Sequence, residues 1–166
     1  MSARRYYDIL IDTLLIRSLE PFAKAGRRRI VQHPRYYLFD VGVLNGALRN
    51  FEASGDRIGT LFEHLVLQVI HSEAAARDLD CRISVYLTES GAEVDFVVEL
   101  DRKTYAVEVK AARTVGRSDL RGLRSFGDFF GRDHTPMVIY RGERALSMDG
   151  VAVLPLSRAL SEMGLG

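Results

Sequence analysis

The amino-acid sequence predicts an α/β fold, a mixed sheet of about five strands flanked by helices. Three observations predict it. From residue 58 onward the segments run helix, three strands, helix, strand, strand, helix. The strand segments alternate apolar and polar residues, whereas 58–77 repeats apolar residues at helical spacing. No internal repeat or low-complexity linker breaks this order.

The elements follow from local chemistry. Residues 5–16 read as a helix, with Tyr6, Ile9, Leu10, Thr13 and Leu14 at helical spacing. Leu15–Phe22 reads as extended and stops near Glu20-Pro21, because a residue before proline avoids the helical region. Residues 23–29 hold a glycine and three consecutive arginines and predict a turn; Ile30–Phe39 predicts a second strand. Helix, strand, basic turn, strand matches the last third of a winged-helix module. We therefore divide the chain into a winged-helix remnant, 1–39, and a main domain, 40–166.

Asp40 is placed to cap a short helix running to Asn50, and 51–57 form a polar loop. Residues 58–77 give the strongest helix, with Ile58, Leu61, Phe62, Leu65, Val66, Val69 and Ile70 on its stripe and Leu67 off it. Residues 82–88, 93–98 and 104–110 read as strands, the last two joined as a hairpin. Residues 118–130 predict a helix with Ser118 as N-cap and Asp119 in the first turn. Pro136–Tyr140 predicts a strand, and Asp149-Gly150 marks a turn within 144–154. Residues 157–163 form the last helix.

Composition bounds the function. A chain of 166 residues, 47% hydrophobic and 27% charged, fits one ordinary globular domain rather than a disordered one. Its apolar runs are too short to span a membrane, so no membrane partner is expected. Arg4, Arg5, Asp8, Asp12 and Arg17 interrupt any signal-peptide core, and a cytoplasmic location is the expectation. The single cysteine, Cys81, excludes an internal disulfide framework and a multi-cysteine zinc site. His33, His64, His71 and His134 are not spaced as ligands on one helix face. The net charge of +1 hides an asymmetry: 1–50 are basic, 51–110 strongly acidic and 111–166 mildly basic. A cationic rim around an acidic centre is one reading, a plainly solvated surface the other.

The informative residues are Asp95, Glu108 and Lys110. By strand alternation Glu93, Asp95 and Val97 share one face, and Val94, Phe96 and Val98 the other; Glu108 and Lys110 share a face of the next strand. A two-residue turn at Asp101-Arg102 would set Asp95 directly across from Glu108. Like charges directly opposite one another destabilise a strand pair, unless a cation sits between them. Mg²⁺ suits such a place, because it takes one or two carboxylates plus waters and phosphate oxygens. Lys110 would project into the same space and could steady an attacking water or phosphate charge. Glu63, inside an apolar helix, is costly unless paired or metal-bound. Arg113, Arg117, Arg121 and Arg124 follow, the last three at i, i+4 and i+7, and could contact phosphates. Arg27, Arg28 and Arg29 could touch a DNA backbone or dock onto a partner domain. The same residues would equally dress a solvated sheet face.

Glu63 after Gly59, then Asp95, then Glu108-Val109-Lys110, resembles the PD-(D/E)XK nuclease superfamily with its restriction-endonuclease-like fold. The strings HPRYYLFDVGVLNGAL, GTLFEHLV, SGAEVDFVVE, AVEVKAA and SDLRGLRSF further resemble the uncharacterised C-terminal domain found behind AAA+ ATPase modules in bacteria and archaea. That likeness runs from about residue 5 to 156. It implies that Asp95, Glu108, the Val109 carbonyl and Glu63 hold or support Mg²⁺ or Mn²⁺. It makes Lys110 the catalytic lysine, with DNA as substrate, an AAA+ ATPase domain as partner and a homodimer as a suitable assembly. Gly59 would allow close approach of its helix start to a neighbour. The chain lacks the G-x-x-x-x-G-K-[ST] run that ATP hydrolysis by that route requires. The expected function is metal-dependent hydrolysis of DNA phosphodiesters; the alternative is an inactive DNA-binding or partner-docking module.

Overall fold

The computed structural model describes residues 3–22 and 33–166. The expected basic turn, with Arg27, Arg28 and Arg29, lies outside the described residues. The elements are α1 (Ala3–Asp12), β1 (Ile16–Leu19), β2 (Arg35–Leu38), α2 (Val41–Leu48), α3 (Ile58–Ala76), β3 (Cys81–Leu87), β4 (Glu93–Leu100) and β5 (Lys103–Lys110). A 3-10 turn, Arg117–Leu120, leads into α4 (Arg121–Phe130). There follow β6 (Thr135–Tyr140), β7 (Leu146–Met148), β8 (Val151–Pro155) and α5 (Leu156–Met163).

The α/β class holds as expected. The main sheet has six strands rather than five, in the order β3-β4-β5-β6-β8-β7. Strands β3, β4 and β5 are antiparallel, β5-β6 and β6-β8 parallel, and β7-β8 antiparallel. The extra strand arises because Asp149 and Gly150 both take positive φ, closing a tight hairpin between β7 and β8. Helices α3 and α5 cover one face, where Val66, Leu67, Ile70, Ala159 and Met163 meet Phe96, Val98, Val107, Val109 and Ile139. Helix α4 covers the other, where Leu120, Leu123 and Phe126 meet Val94, Val97, Ala106 and Val138.

Strands β1 and β2 form a separate antiparallel pair. The chain after β1 then runs beside β3: Pro21 bridges Val85, and the Phe22 N–H donates to the Val85 carbonyl at 2.7 Å. Phe22 packs edge-on against Phe126 and Phe130. Tyr37 of β2 enters the α3-side core against Phe96. The small sheet is thus anchored on both faces of the large one.

Four local expectations are corrected. The first helix stops at Asp12, because Leu14 adopts φ 59° and turns the chain into β1. On α3, Leu67 is buried and Leu65 exposed, since the helix is rotated to bury its 66, 67, 70 and 74 face. Ser118 caps nothing: the Asp119 carboxylate accepts from the Gly116 N–H at 2.8 Å and folds 117–120 into the 3-10 turn. Gly59 makes no close approach, since a Cβ there would meet nothing within 4 Å. The glycine with that role is Gly122 of α4, discussed below. The Asp40 cap holds, with its carboxylate accepting from the Val43 N–H at 3.0 Å.

Candidate active site

The β4-β5 register is the one expected from a two-residue turn. Leu100 pairs with Lys103 and Phe96 with Val107, so the next step along the ladder sets Asp95 beside Glu108. Asp101 takes φ 51°, as a tight hairpin demands. The backbone ladder stops at Phe96. Beyond it the Asp95 carboxylate takes over, accepting from the Val109 N–H at 2.8 Å. A side chain therefore holds the two strands together where they part.

One expectation about β4 is corrected. Val94 does not share a face with Phe96 and Val98; it lies with Val97 in the α4-side core. Residues three apart on a regular strand face opposite ways. Between the Ser84–Val97 and Tyr86–Val94 pairs, two steps on β3 match three on β4. This bulge inserts one extra residue beside Asp95. Bulges commonly re-aim a side chain next to a functional site.

Asp95 and Glu108 are 9% and 8% exposed, among the few buried polar residues described. Glu108 uses Oε1 to pair with Lys110 Nζ at 2.8 Å. Its Oε2 is buried and has no hydrogen-bond partner among the described residues. An unmatched carboxylate oxygen out of water is costly and calls for a cation or a proton. Burial, reinforced by the charges of Glu108 and Glu63, pushes Asp95 up to about 8. Burial also raises Glu108, against the opposing pull of Lys110. For Lys110 burial pulls downward, but Glu108, Asp95 and Asp119 outweigh it, so the ammonium holds its proton above the usual range. Asp119 stands 3.9 Å from Lys110 Nζ.

Glu63 reaches the same place from α3. Its Oε1 accepts from the buried Tyr37 hydroxyl, which removes most of the cost of its partial burial. Arg35 of β2 joins the group: it donates from Nη2 to Glu93, and Nη1 stands 3.8 Å from both Glu63 Oε1 and Asp95 Oδ1. The fold thus brings together Glu63, Asp95, Glu108, Val109 and Lys110, all expected from sequence. It adds Arg35, Tyr37, Glu93 and Asp119. The Arg35-x-Tyr37 spacing on a strand was the available signal, since it puts both side chains on one face.

The donors fit a hard dication. Two adjacent carboxylates, one with a free buried oxygen, match what Mg²⁺ or Mn²⁺ takes alongside water. As arranged, no three His, Cys, Asp or Glu side chains among the described residues converge closely enough to enclose an ion.

Arg117, Arg121 and Arg124 do not share the one helix that their spacing predicts. Arg117 lies in the 3-10 turn and Arg121 and Arg124 in α4. Arg117 and Arg124 both reach Asp149, at 3.5 and 2.6 Å, and Arg121 donates to the Ser90 carbonyl at 3.0 Å. Arg113 is exposed beyond β5. Cys81 is half-buried at the start of β3, and burial pushes its thiol up, away from reactivity. Among the described residues, no helix is long and apolar enough to cross a membrane.

A family profile described as a domain of unknown function (DUF4143) matches residues 58–159, more than half of the chain. A second, also described as a domain of unknown function (DUF8612), matches residues 2–54. The chain is 34% identical over 129 residues to the uncharacterized protein Mb2031c of Mycobacterium bovis. It is equally similar to the uncharacterized protein Rv2008c of Mycobacterium tuberculosis. In both cases the match covers 75% of this chain and 28% of the relative, so the chain spans little more than a quarter of the length of the curated relatives it matches. No solved structure matches it.

Proposed function

The chain belongs to the DUF4143 family, and we propose that it is a metal-dependent phosphodiesterase module of the PD-(D/E)XK nuclease type, acting on DNA. The observation that carries this reading is the buried Asp95-Glu108 pair beside Lys110, with one Glu108 oxygen unmatched. Two carboxylates and a protonated lysine at the end of a strand pair are the minimum such chemistry needs. Asp95 and Glu108 would hold Mg²⁺ or Mn²⁺, with Glu63 and the Val109 carbonyl as supporting oxygens. The bound ion would supply an activated water and screen phosphate charge.

The chain's own groups have defined tasks. The Val109 N–H fixes the rotamer of Asp95. Glu108 and Asp119 flank Lys110 and keep its proton, so the ammonium is ready to donate to a phosphate oxygen. Tyr37 holds Glu63 in place from the small sheet. Arg113, exposed beyond the site, and Arg117, Arg121 and Arg124 around α4 offer positive charge for a nucleic-acid backbone.

Calorimetric titration with Mn²⁺ tests the reading. Wild type is expected to bind, and Asp95→Ala or Glu108→Ala to weaken binding at least about tenfold, or roughly 1.4 kcal/mol. Lys110→Ala is expected to keep the metal and lose about a hundredfold in cleavage of DNA. Absence of metal-dependent cleavage on linear, nicked and branched DNA, together with unchanged metal affinity in Asp95→Ala, would sink the proposal.

Two observations favour a second reading, a non-catalytic module that docks onto an AAA+ ATPase partner or DNA. Arg35 stands among Glu63, Glu93 and Asp95, where a cation would go. Helix α1 exposes Tyr6, Tyr7, Ile9 and Leu10, and Leu14 follows. In that case metal affinity and cleavage would both be missing, and a longer chain containing the ATPase would bury α1.

A further inference from the structure

Arg35 is used in an unusual way. A guanidinium normally meets one carboxylate through two parallel hydrogen bonds. Here one terminal nitrogen binds Glu93, while the other stands 3.8 Å from both Glu63 and Asp95, beyond hydrogen-bond reach. The group acts as a central positive charge among three acids rather than as a fork on one. A side chain thus offsets acidic charge that a bound dication would otherwise offset. Its charge of +1 faces three carboxylates, whereas a dication brings twice the charge to the same place.

The delivery of Arg35 is also distinctive. Among the described residues strand β2 pairs with β1 alone and is no part of the six-stranded sheet that carries Asp95 and Glu108. Two residues further on, Tyr37 fixes β2 to α3 through Glu63 and to β4 through Phe96. The acidic groups belong to the large sheet and α3, and the cation belongs to the small sheet. With Tyr37 anchoring β2, a swing of the half-buried Arg35 side chain would withdraw the guanidinium without disturbing Asp95, which its bond to Val109 holds.

We propose that Arg35 is a resident cation that fills the acidic site and must leave it before a divalent metal binds. The inference rests on the metal-dependent reading above. Arg35 is a positioning residue here: it acts through the carboxylates it holds. Exchange of +1 for +2 also suits a site where, among the described residues, the four acids Glu63, Glu93, Asp95 and Glu108 gather with Arg35 and Lys110 as their paired cations.

Mg²⁺ titration of the full chain tests this by calorimetry and by the Arg35 Nε–H resonance in nitrogen–proton correlation spectra. Arg35→Gln is expected to tighten Mg²⁺ binding at least tenfold, and Arg35→Lys to stay within threefold of wild type. In wild type the Arg35 resonance is expected to shift or exchange away in step with saturation. Glu108→Gln is the control and should weaken binding in both backgrounds. Equal affinity in wild type and Arg35→Gln, or an Arg35 signal unmoved at saturation, overturns the inference and leaves the metal site standing. If Arg35→Gln fails to fold, the wild-type resonance alone decides the matter. No Mg²⁺ binding in wild type or either Arg35 variant removes the metal reading and this inference with it.

Discussion

Gly122→Ala is expected to destabilise the protein by about 3 kcal/mol or more, lowering the melting temperature by roughly 10 °C. A Cβ at Gly122 would lie 1.6 Å from the Glu93 carbonyl oxygen and 2.6 Å from its carbon. Both are backbone atoms of a strand bonded into the sheet, so no side chain can swing aside. Helix α4 would have to lift from β4, opening the core around Leu123 and Phe126. Glu93 starts the strand that bears Asp95, so the same displacement should weaken metal binding. Gly59→Ala is the paired control. It adds a methyl group where nothing lies within 4 Å and improves helix propensity, so a gain of about 0.5–1 kcal/mol is expected. Thermal denaturation followed by circular dichroism separates the two; a wild-type melting temperature for Gly122→Ala would contradict the packing described.

Asp95→Asn is expected to stabilise the metal-free protein at pH 8 by about 2–3 kcal/mol. In the folded chain Asp95 titrates at about 8, for the burial and neighbouring charges given above. In the unfolded chain it titrates near 4. Between these values the folded state holds a proton that the unfolded state has lost. The stability from this group is therefore complete below about pH 4, declines as pH rises, and is gone above about pH 8. Asparagine still accepts from Val109 and carries no charge, so that decline should vanish in the variant. Metal binding requires the ionised carboxylate, and wild-type affinity should rise across the same window. Denaturant unfolding at pH 5, 7 and 8, with and without Mg²⁺, measures both slopes. An Asp95→Asn protein that is less stable than wild type at pH 8 without metal would contradict the electrostatic account.

The central pair was legible because its causes are local. The two-residue turn at Asp101-Arg102 fixes the β4-β5 register, and the register alone brings Asp95 to Glu108. Asp40 as a cap was legible for the same reason. The bulge in β4 was not, because it depends on how β3 pairs with β4 rather than on the residues 93–98 themselves. Arg35 was hidden by distance along the chain: its partners Glu63, Glu93 and Asp95 follow 28, 58 and 60 residues later. The close glycine was assigned to the wrong helix, since only packing decides whether Gly59 or Gly122 faces a strand. The hairpin at Asp149-Gly150 was marked by its turn residues, but the parallel pairing of β8 with β6 has no local signature.

The two edges of the large sheet limit how this protein can assemble. On the β3 side, residues 20–22 run beside the middle of the strand: the Val85 N–H donates to the Glu20 carbonyl, and the Val85 carbonyl accepts from the Phe22 N–H. On the other side, β7 offers three residues only. Short or obstructed edges make poor templates for strand addition. A second copy or a larger neighbour therefore has little to gain by extending the sheet. Side-chain surfaces are the alternative to extending the large sheet, and the exposed apolar residues of α1 provide one beside the small sheet that carries Arg35. A neighbour seated there would meet Tyr7, whose ring stacks on Tyr36 of β2, the residue next to Arg35.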